Sequence, residues 1–263
     1  MSHISSSIIS IIGCGHMGTA IVKALKTKKI GRIFVSNPIK PHLNVKWTTN
    51  NCEAAENADI VLIAVKPNAV QTVLKEIKPV LKTDQIIISI AAGVPLERLA
   101  LWSGNHKKIV RVMPNLPAQI FEGMSVWKAS SAINKAEKRL IQYLLSSFGK
   151  EIEAKDEKLI DIATAVSGGG PAYVAAFLES LAYSAQKIGF SKPCARLLAL
   201  QSVYGSVLYM QKTGLDFTEV KNAVQTKGGT TEAGFKILKK GKWQKTLEKA
   251  LFAGYKRARK ISK

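Results

Sequence analysis

The sequence predicts an N-terminal α/β domain, built on a doubly wound and mainly parallel sheet, followed by an all-α domain. Three observations predict it. Up to residue 155, short continuous apolar runs alternate with helix-length segments, the pattern of a parallel sheet covered on both faces. A Gly-x-Gly-x-x-Gly turn stands directly after the first of those runs. From residue 156 no strand-like run remains, and apolar residues recur at helical spacing. A chain of 263 residues has room for two modest domains, and composition divides this one into 1–155 and 156–263.

Residues 7–12 (SIISII) read as a buried strand. Gly13 to Gly18 form the turn, and a helix follows over 19–28 with Ala20, Ile21, Ala24 and Leu25 on one side. Residues 32–36 (RIFVS), 60–65 (IVLIAV), 85–90 (QIIISI) and 108–113 (KIVRVM) read as further strands, the last ended by Pro114. Residues 125–128 form one more short candidate. In the second half, Pro171 suits the first turn of a helix. Tyr173, Ala176, Phe177, Leu181 and Ser184 then recur at helical spacing up to Gly189. Pro193 opens another helix through Leu197, Leu200 and Leu208, ending near Gly214. Shorter helices are expected from Phe217, over 230–241 and from Trp243 onward.

Net charge is +21, from 39 basic and 18 acidic residues. So basic a chain first suggests nucleic acid or an anionic membrane. The make-up of the excess argues otherwise, since 32 of the basic residues are Lys and only 7 are Arg, the residue suited to bidentate phosphate recognition. Position matters too. Residues 156–235 carry 7 basic and 7 acidic side chains, whereas 236–263 carry 11 and 1. The last segment therefore reads as a basic, solvated helix, and neither a nucleic-acid nor a membrane partner is expected. Cys14, Cys52 and Cys194 lie far apart, with no zinc spacing and no disulfide framework, which fits a reducing cytoplasm. The apolar start is too short for a signal-peptide core, and no stretch approaches the roughly 18 apolar residues of a membrane span.

Gly13-Cys14-Gly15-His16-Met17-Gly18 lies between strand and helix, the context that a Rossmann dinucleotide site requires. The first glycine makes the turn. The second lets backbone N–H groups approach a pyrophosphate, and the third allows close strand–helix packing. Taken alone, Cys14 and His16 carry no chemistry. After the second strand, Ser36-Asn37-Pro38-Ile39-Lys40 offers no acid for a ribose. A hydroxyl, an amide and a Lys suit a 2′-phosphate, which favours NADPH, with NADH as the alternative. Ala64-Val65-Lys66-Pro67 and Ala91-Ala92-Gly93-Val94 follow strand ends, the sheet edge where ligands bind. Gly93 permits close backbone approach, and Ala91 and Ala92 leave room for a ribose or nicotinamide; that both segments are simply tight loops is the alternative. Asn115, between Pro114 and Pro117, suits a hydrogen bond to a ligand or to its own turn. Arg111 lies inside a strand pattern and reads as a structural ion-pair partner.

In the helical half, Ser167-Gly168-Gly169-Gly170-Pro171 and Lys227-Gly228-Gly229-Thr230-Thr231 both open helices. Such turns present free N–H groups at a positive dipole end, and the second, with two hydroxyls, would hold a small carboxylate. Ordinary capping by Thr230 or Thr231 is the alternative. No nucleophile elbow, carboxylate pair or metal spacing is visible, so a cofactor would supply the chemistry.

The segments 13–18, 64–67, 91–94, 111–117, 167–174 and 228–231, in this order and spacing, resemble the pyrroline-5-carboxylate reductases over nearly the whole chain. Arg-x-Met-Pro-Asn-x-Pro together with Gly-Gly-Thr-Thr is far more specific than the glycine fingerprint. The resemblance implies an NADPH-binding Rossmann domain and a helical dimerisation domain interleaved with a second subunit's, giving a homodimer and often a decamer. It implies reduction of the C=N bond of 1-pyrroline-5-carboxylate to L-proline, in a site shared by one subunit's nucleotide domain and its partner's helices. Thr231 would hydrogen-bond the ring nitrogen. The N–H groups of Gly228, Gly229 and Thr230 would hold the carboxylate, with Ser167 as a further substrate contact. Cofactor contacts are implied at Gly13, Gly15, His16, Met17, Gly18, Ser36, Asn37, Asn50, Ala64, Val65, Lys66, Pro67, Ala91, Ala92, Gly93 and Asn115.

The chain departs from the family pattern at Gly169, where Ser is usual, at Asn222 for Asp and at Lys227 for Pro, and residues 40–45 look shortened. These departures make a paralogue that binds dinucleotide or a partner with little turnover the second reading. A β-hydroxyacid dehydrogenase shares the two-domain plan. It would need a catalytic Lys on the first long interdomain helix, and residues 171–186 contain none.

Overall fold

The structure, a computed structural model, describes residues 7–261. Expectations resting on residues 1–6 or on Lys263 lie outside that range. The chain forms two compact units. One takes in the chain up to Gly169 together with its end from Gly254; the other is Gly170–Ala253.

The first unit contains β1 (Ile8–Ile12), α1 (His16–Thr27), β2 (Arg32–Ser36), β3 (Lys46–Thr48), α2 (Asn51–Glu56), β4 (Ile60–Ile63), α3 (Val70–Ile77), β5 (Ile86–Ser89) and α4 (Leu96–Trp102). It continues with β6 (Ile109–Met113), β7 (Gly123–Ala129), α5 (Lys135–Leu145), β8 (Gly149–Glu153) and α6 (Lys158–Ala163). The strands form a single sheet in the order β3-β2-β1-β4-β5-β6-β7-β8. Every neighbouring pair is parallel except β6 and β7. The doubly wound, mainly parallel sheet expected from the sequence is therefore present.

The strands are apolar at successive positions because both faces are covered. Ile9, Ile11, Ile60, Leu62, Ile86 and Ile88 pack with α1 and α5. Ile12, Val61, Ile63, Ile87 and Ile109 pack with α2, α3 and α4. The two sets alternate along each strand with the period of two that a pleat imposes. Full burial of each such side chain contributes about 1.5–3 kcal/mol. Asn50 caps α2, and Asn134 with Glu137 forms a capping box on α5.

Two strands differ from the expectation. β3 is a three-residue edge strand, too short to show periodicity. β8 (GKEIE) inverts the usual pattern: Ile152 is exposed, while Glu151 accepts the Trp127 indole N–H and Glu153 pairs with Lys138. Reading apolar residues as inward-facing misses such a strand. The remaining expected strands are present, most of them shifted at one or both ends.

Arg111 is 2% exposed in β6. Its Nη1 donates to Glu157 Oε1 at 2.9 Å and its Nη2 to Asp161 Oδ1 at 2.5 Å. The structural role expected for it is the one seen. These bonds hold α6 against the sheet, so the first unit runs on past the change in composition at residue 156.

The second unit contains α7 (Gly170–Lys187), α8 (Lys192–Thr213), α9 (Phe217–Val224), α10 (Thr230–Lys240) and the first part of α11 (Trp243–Ile261). Pro193 sits in the first turn of α8, and Gly214 ends it with φ +73. An Asp216–Glu219 capping box starts α9. Within α7 to α10 the buried side chains are Ala195 and Ala199, whereas Phe177, Leu197 and Tyr183 are 51%, 66% and 60% exposed.

Replacing Arg111 with Met leaves the Asp161 carboxylate buried without its cation. Denaturant unfolding at fixed protein concentration should show a loss of about 3–5 kcal/mol.

Candidate functional site

The strand order reverses about β1, whose neighbours are β2 and β4. In such sheets the crevice beyond the strand ends at this point receives ligands. Gly13 leaves β1 with φ +95, and its N–H donates to the Ser36 carbonyl at 2.8 Å. A Cβ on Gly13 would lie 2.8 Å from Val65 Cγ1 and 2.9 Å from the Ala64 carbonyl. A Cβ on Gly18 would collide with the Gly13 carbonyl oxygen. The chain itself thus requires glycine at both positions.

Gly15 is different. A Cβ there would meet nothing within 4 Å. Gly15 is the N-cap of α1, makes no side-chain cap, and the first turn of α1 carries no acid. The N–H groups of that turn are left bare, with a positive dipole end behind them. A cavity of about 410 Å3 opens at this point, lined by Cys14, Gly15, His16, Thr19, Ala20, Lys23 and Gln119. Lys23 adds a cation, and no carboxylate lines the space. These residues fit the pyrophosphate of a dinucleotide. Met17 is half-buried and packs onto the sheet core.

At the end of β2 the small polar groups serve the protein. Ser36 is 1% exposed, and its hydroxyl donates to Asn51 Oδ1 at 2.7 Å. That corrects the expectation of a hydroxyl offered to a 2′-phosphate. Asn37 Oδ1 accepts the Cys14 N–H at 2.9 Å, and its Nδ2 donates to the Ile39 carbonyl at 2.7 Å. Asn37 therefore shapes the glycine turn. Asn50 Oδ1 accepts the N–H groups of Cys52 and Glu53 at the start of α2. Lys40 is exposed and has no ion-pair partner among the described residues. Burial and the Glu76 and Glu56 carboxylates push the Cys52 thiol pKa up, which keeps it protonated and unreactive.

Ala64 and Val65 are half-buried beside Gly13, with Lys66 and Pro67 exposed beyond them. Ala91 is buried and Ala92 half-buried. Gly93 takes φ +74, and a Cβ there would run into Ile261 at the end of α11. The close approach assigned to a cofactor at Gly93 is made by the protein's own last helix.

Asn115 Oδ1 accepts the Met124 N–H at 2.8 Å, and its Nδ2 donates to the Ser167 carbonyl at 3.0 Å. Residues Thr164–Gly168 wind as a π-turn, closed by the Gly169 N–H on the Thr164 carbonyl. Pro171 has no N–H for the carbonyl four residues earlier, which is Ser167's. Asn115 fills that gap. The Ser167 hydroxyl donates to the Ala163 carbonyl at 3.0 Å. Both side chains are thus engaged in the backbone of this turn, a local alternative that their sequence reading had left open for Asn115.

In the helical unit, Gly228 has φ +75 and Gly229 is the N-cap of α10. The Gly228 N–H donates to Glu232 Oε2 at 2.8 Å, and the Gly229 N–H to the Thr226 carbonyl at 3.0 Å. Two of the three N–H groups expected to hold a carboxylate therefore have partners within the chain. Thr230 and Thr231, at the first two positions of α10, have N–H groups with no intrahelical acceptor. Among the described residues the Thr231 hydroxyl makes no hydrogen bond. Sequence reasoning passed over Glu232 and Lys23. An acid in the first turn after a Gly-rich bend was the available signal for Glu232. Lys23 gave no signal in a helix read for its apolar side.

Among the described residues no helix is long and apolar enough to cross a membrane, and no His/Cys/Asp/Glu group could hold a metal ion. The family model described as pyrroline-5-carboxylate reductase dimerisation matches residues 157–261, and that described as NADP oxidoreductase, coenzyme F420-dependent, matches residues 8–93. The chain is 32% identical to the pyrroline-5-carboxylate reductase of Pseudomonas aeruginosa over 267 residues, 98% of each chain. It is 36% identical to that of Arabidopsis thaliana over 264 residues, 97% of this chain and 95% of the relative. The crystal structure of the Plasmodium falciparum pyrroline carboxylate reductase with NADP bound superposes with a TM-score of 0.91 at 32% identity, over 99% of this chain and 100% of that one. With these relatives matched over almost its whole length, the chain belongs to the pyrroline-5-carboxylate reductase family.

Proposed function

We propose that the protein reduces 1-pyrroline-5-carboxylate to L-proline with NADPH, as a homo-oligomer in the cytoplasm. The observation that carries this reading is the turn from Gly228 to Thr231. It already binds a carboxylate, that of Glu232, through a backbone N–H, and leaves the N–H groups of Thr230 and Thr231 uncommitted. Family membership supports the reaction, and the bare first turn of α1 supports the dinucleotide.

When bound, the nicotinamide supplies the hydride that reduces the imine carbon. The chain's own residues bind and orient. The N–H groups of Thr230 and Thr231 hold the substrate carboxylate at the positive end of α10. Gly228 supplies the positive φ of the turn, and Gly229 leaves the space in which Thr226 approaches, since a Cβ there would lie 2.6 Å from Thr226 Oγ1. The Thr231 hydroxyl hydrogen-bonds the ring nitrogen and holds its proton as the nitrogen gains electron density. A protonated imine is already electrophilic, so the reaction needs no stronger acid than the Thr231 hydroxyl, and Glu232 is engaged with the Gly228 N–H. The lack of an acid at the end of β2, with Lys40 exposed beyond it, supports NADPH over NADH.

Assembly follows from the helical unit, whose exposed apolar side chains need a covering surface. A second copy provides it, giving a homodimer, with the decamer as the larger assembly to look for. Three free cysteines support the cytoplasm, and the reaction calls for no nucleic-acid or membrane partner.

The wild type should oxidise NADPH when given pyrroline-5-carboxylate, and faster than it oxidises NADH; no turnover with either would leave the paralogue reading. Thr231→Ala should lower kcat by about 10- to 1,000-fold, with Thr231→Ser largely restoring it, and near wild-type turnover would sink the role assigned to Thr231. Gly15→Ala should raise the KM for NADPH by about tenfold with an unchanged melting temperature, because its Cβ meets ligand space and no protein. Sedimentation of Phe177→Glu should show monomers where the wild type shows dimers or larger, since burying an unpaired carboxylate in that face costs several kcal/mol.

A further inference from the structure

The helical unit holds a second cavity, which the reaction does not use. It measures about 630 Å3 and lies among α9, α10 and α11. Lys221, Lys239, Lys242 and Lys245 line it, with Phe235 and Trp243. Asn222, Gln225 and Gln244 also reach it, and no carboxylate does. None of the four lysines has an ion-pair partner among the described residues.

Ordinary helix electrostatics explains two of these cations, the first being Lys221 in the last turn of α9. Lys239 lies in the last turn of α10, where the dipole favours positive charge. Lys245 lies in the first turn of α11, the end that favours acids, and that turn contains none. Lys242, between the two helices, takes φ +52, a conformation that costs any residue with a side chain and that the adjacent Gly241 would take more readily. Like charges gathered around one cavity also repel one another. An anion within it relieves the two electrostatic costs, that at Lys245 and that of the mutual repulsion. Trp243 is 50% exposed, so its ring offers a free face at the same place.

We propose that this cavity binds a nucleotide, with the base against Trp243 and Phe235 and the phosphate chain among the lysines. Aromatic faces suit any planar base, Lys ammonium groups suit phosphate as point charges, and the amides suit the polar edges of the base. The volume lies in the range of small-ligand sites. A ligand held between α9 and α10 also restrains the turn from Thr226 to Gly229 that joins them, so its natural consequence is to alter substrate affinity. The binding itself is independent of the reductase reading.

The test is calorimetric titration of the full-length protein, preloaded with NADPH, using ATP as the probe. One ATP per protomer should bind without displacing NADPH, read from NADPH fluorescence. The double variant Lys242→Ala/Lys245→Ala should weaken ATP by about tenfold or more while leaving kcat/KM without ATP within about twofold of wild type. Adenosine alone and tripolyphosphate alone should each bind more weakly than ATP. The proposal is overturned by absence of saturable binding, by ATP that simply displaces NADPH, or by affinity that the double variant leaves unchanged. Tripolyphosphate binding as tightly as ATP, or a single-stranded oligonucleotide binding more tightly, overturns it as well.

Discussion

A guanidinium buried in a β-strand has to be neutralised where it lies, and in this chain that requirement decides how the first unit ends. Bare, Arg111 would cost several kcal/mol inside the sheet. Glu157 and Asp161, one helical turn apart, supply two carboxylates and so lay α6 along β6. Everything that follows starts from that position. The chain winds into a π-turn, Pro171 removes an N–H, and the Ser167 carbonyl is left for Asn115 to satisfy. Arg111 and Asn115 belong to the end of one strand and its loop, so β6 grips the connector at both of its ends.

What the sequence makes legible follows from the same physics. A strand covered on both faces is apolar at most positions, so β1, β4, β5 and β6 stand out despite Ser10, Ser89 and Arg111. β8 does not, because it turns Glu151 and Glu153 toward partners and Ile152 toward solvent. Composition marks residue 156, whereas packing carries the first unit to Gly169, because an ion pair leaves no mark in composition. In the site, glycine gives away the need for space but not what fills it. Gly13 and Gly93 both have positive φ, yet one faces the loop after β4 and the other the far end of the chain. Ser36, Asn37 and Asn50 looked like ligand groups because small polar residues at strand ends serve ligands and backbone equally well. Here they satisfy α2 and the glycine turn, whose N–H groups would otherwise lack partners.

The two turns proposed to bind anions are built alike but are unequal in charge. Each is a glycine bend opening a helix without a side-chain cap. At α1 nothing opposes the dipole and Lys23 reinforces it, which suits a ligand that carries permanent charge on two phosphates. At α10 the first turn contains Glu232, which takes the Gly228 N–H and lies 3.5 Å from Lys236. A substrate carboxylate therefore meets a field already partly neutralised. On the proposed assignment the turns would sort the ligands by charge: the multiply charged one drawn strongly, the singly charged one held at a turn from which it can leave.

The remaining question is how so basic a chain associates with itself. Ordering a helical segment costs about 1–2 kcal/mol per residue in backbone entropy, and two buried alanines cannot offset that for a whole unit. Folding of this unit is therefore linked to association. The apolar side chains concentrate on α7 and α8, and α7 carries a single acid, Glu179, and a single base, Lys187. About half of the charge excess lies further along, on α10 and α11, and the rest is spread over residues 1–155. Two copies that meet through the charge-poor helices need not bring those lysines together, so the net charge of +21 does not oppose assembly in proportion to its size. Segregating charge from apolar surface along the chain is what lets one half of the unit hold a partner while the other half stays open to anions.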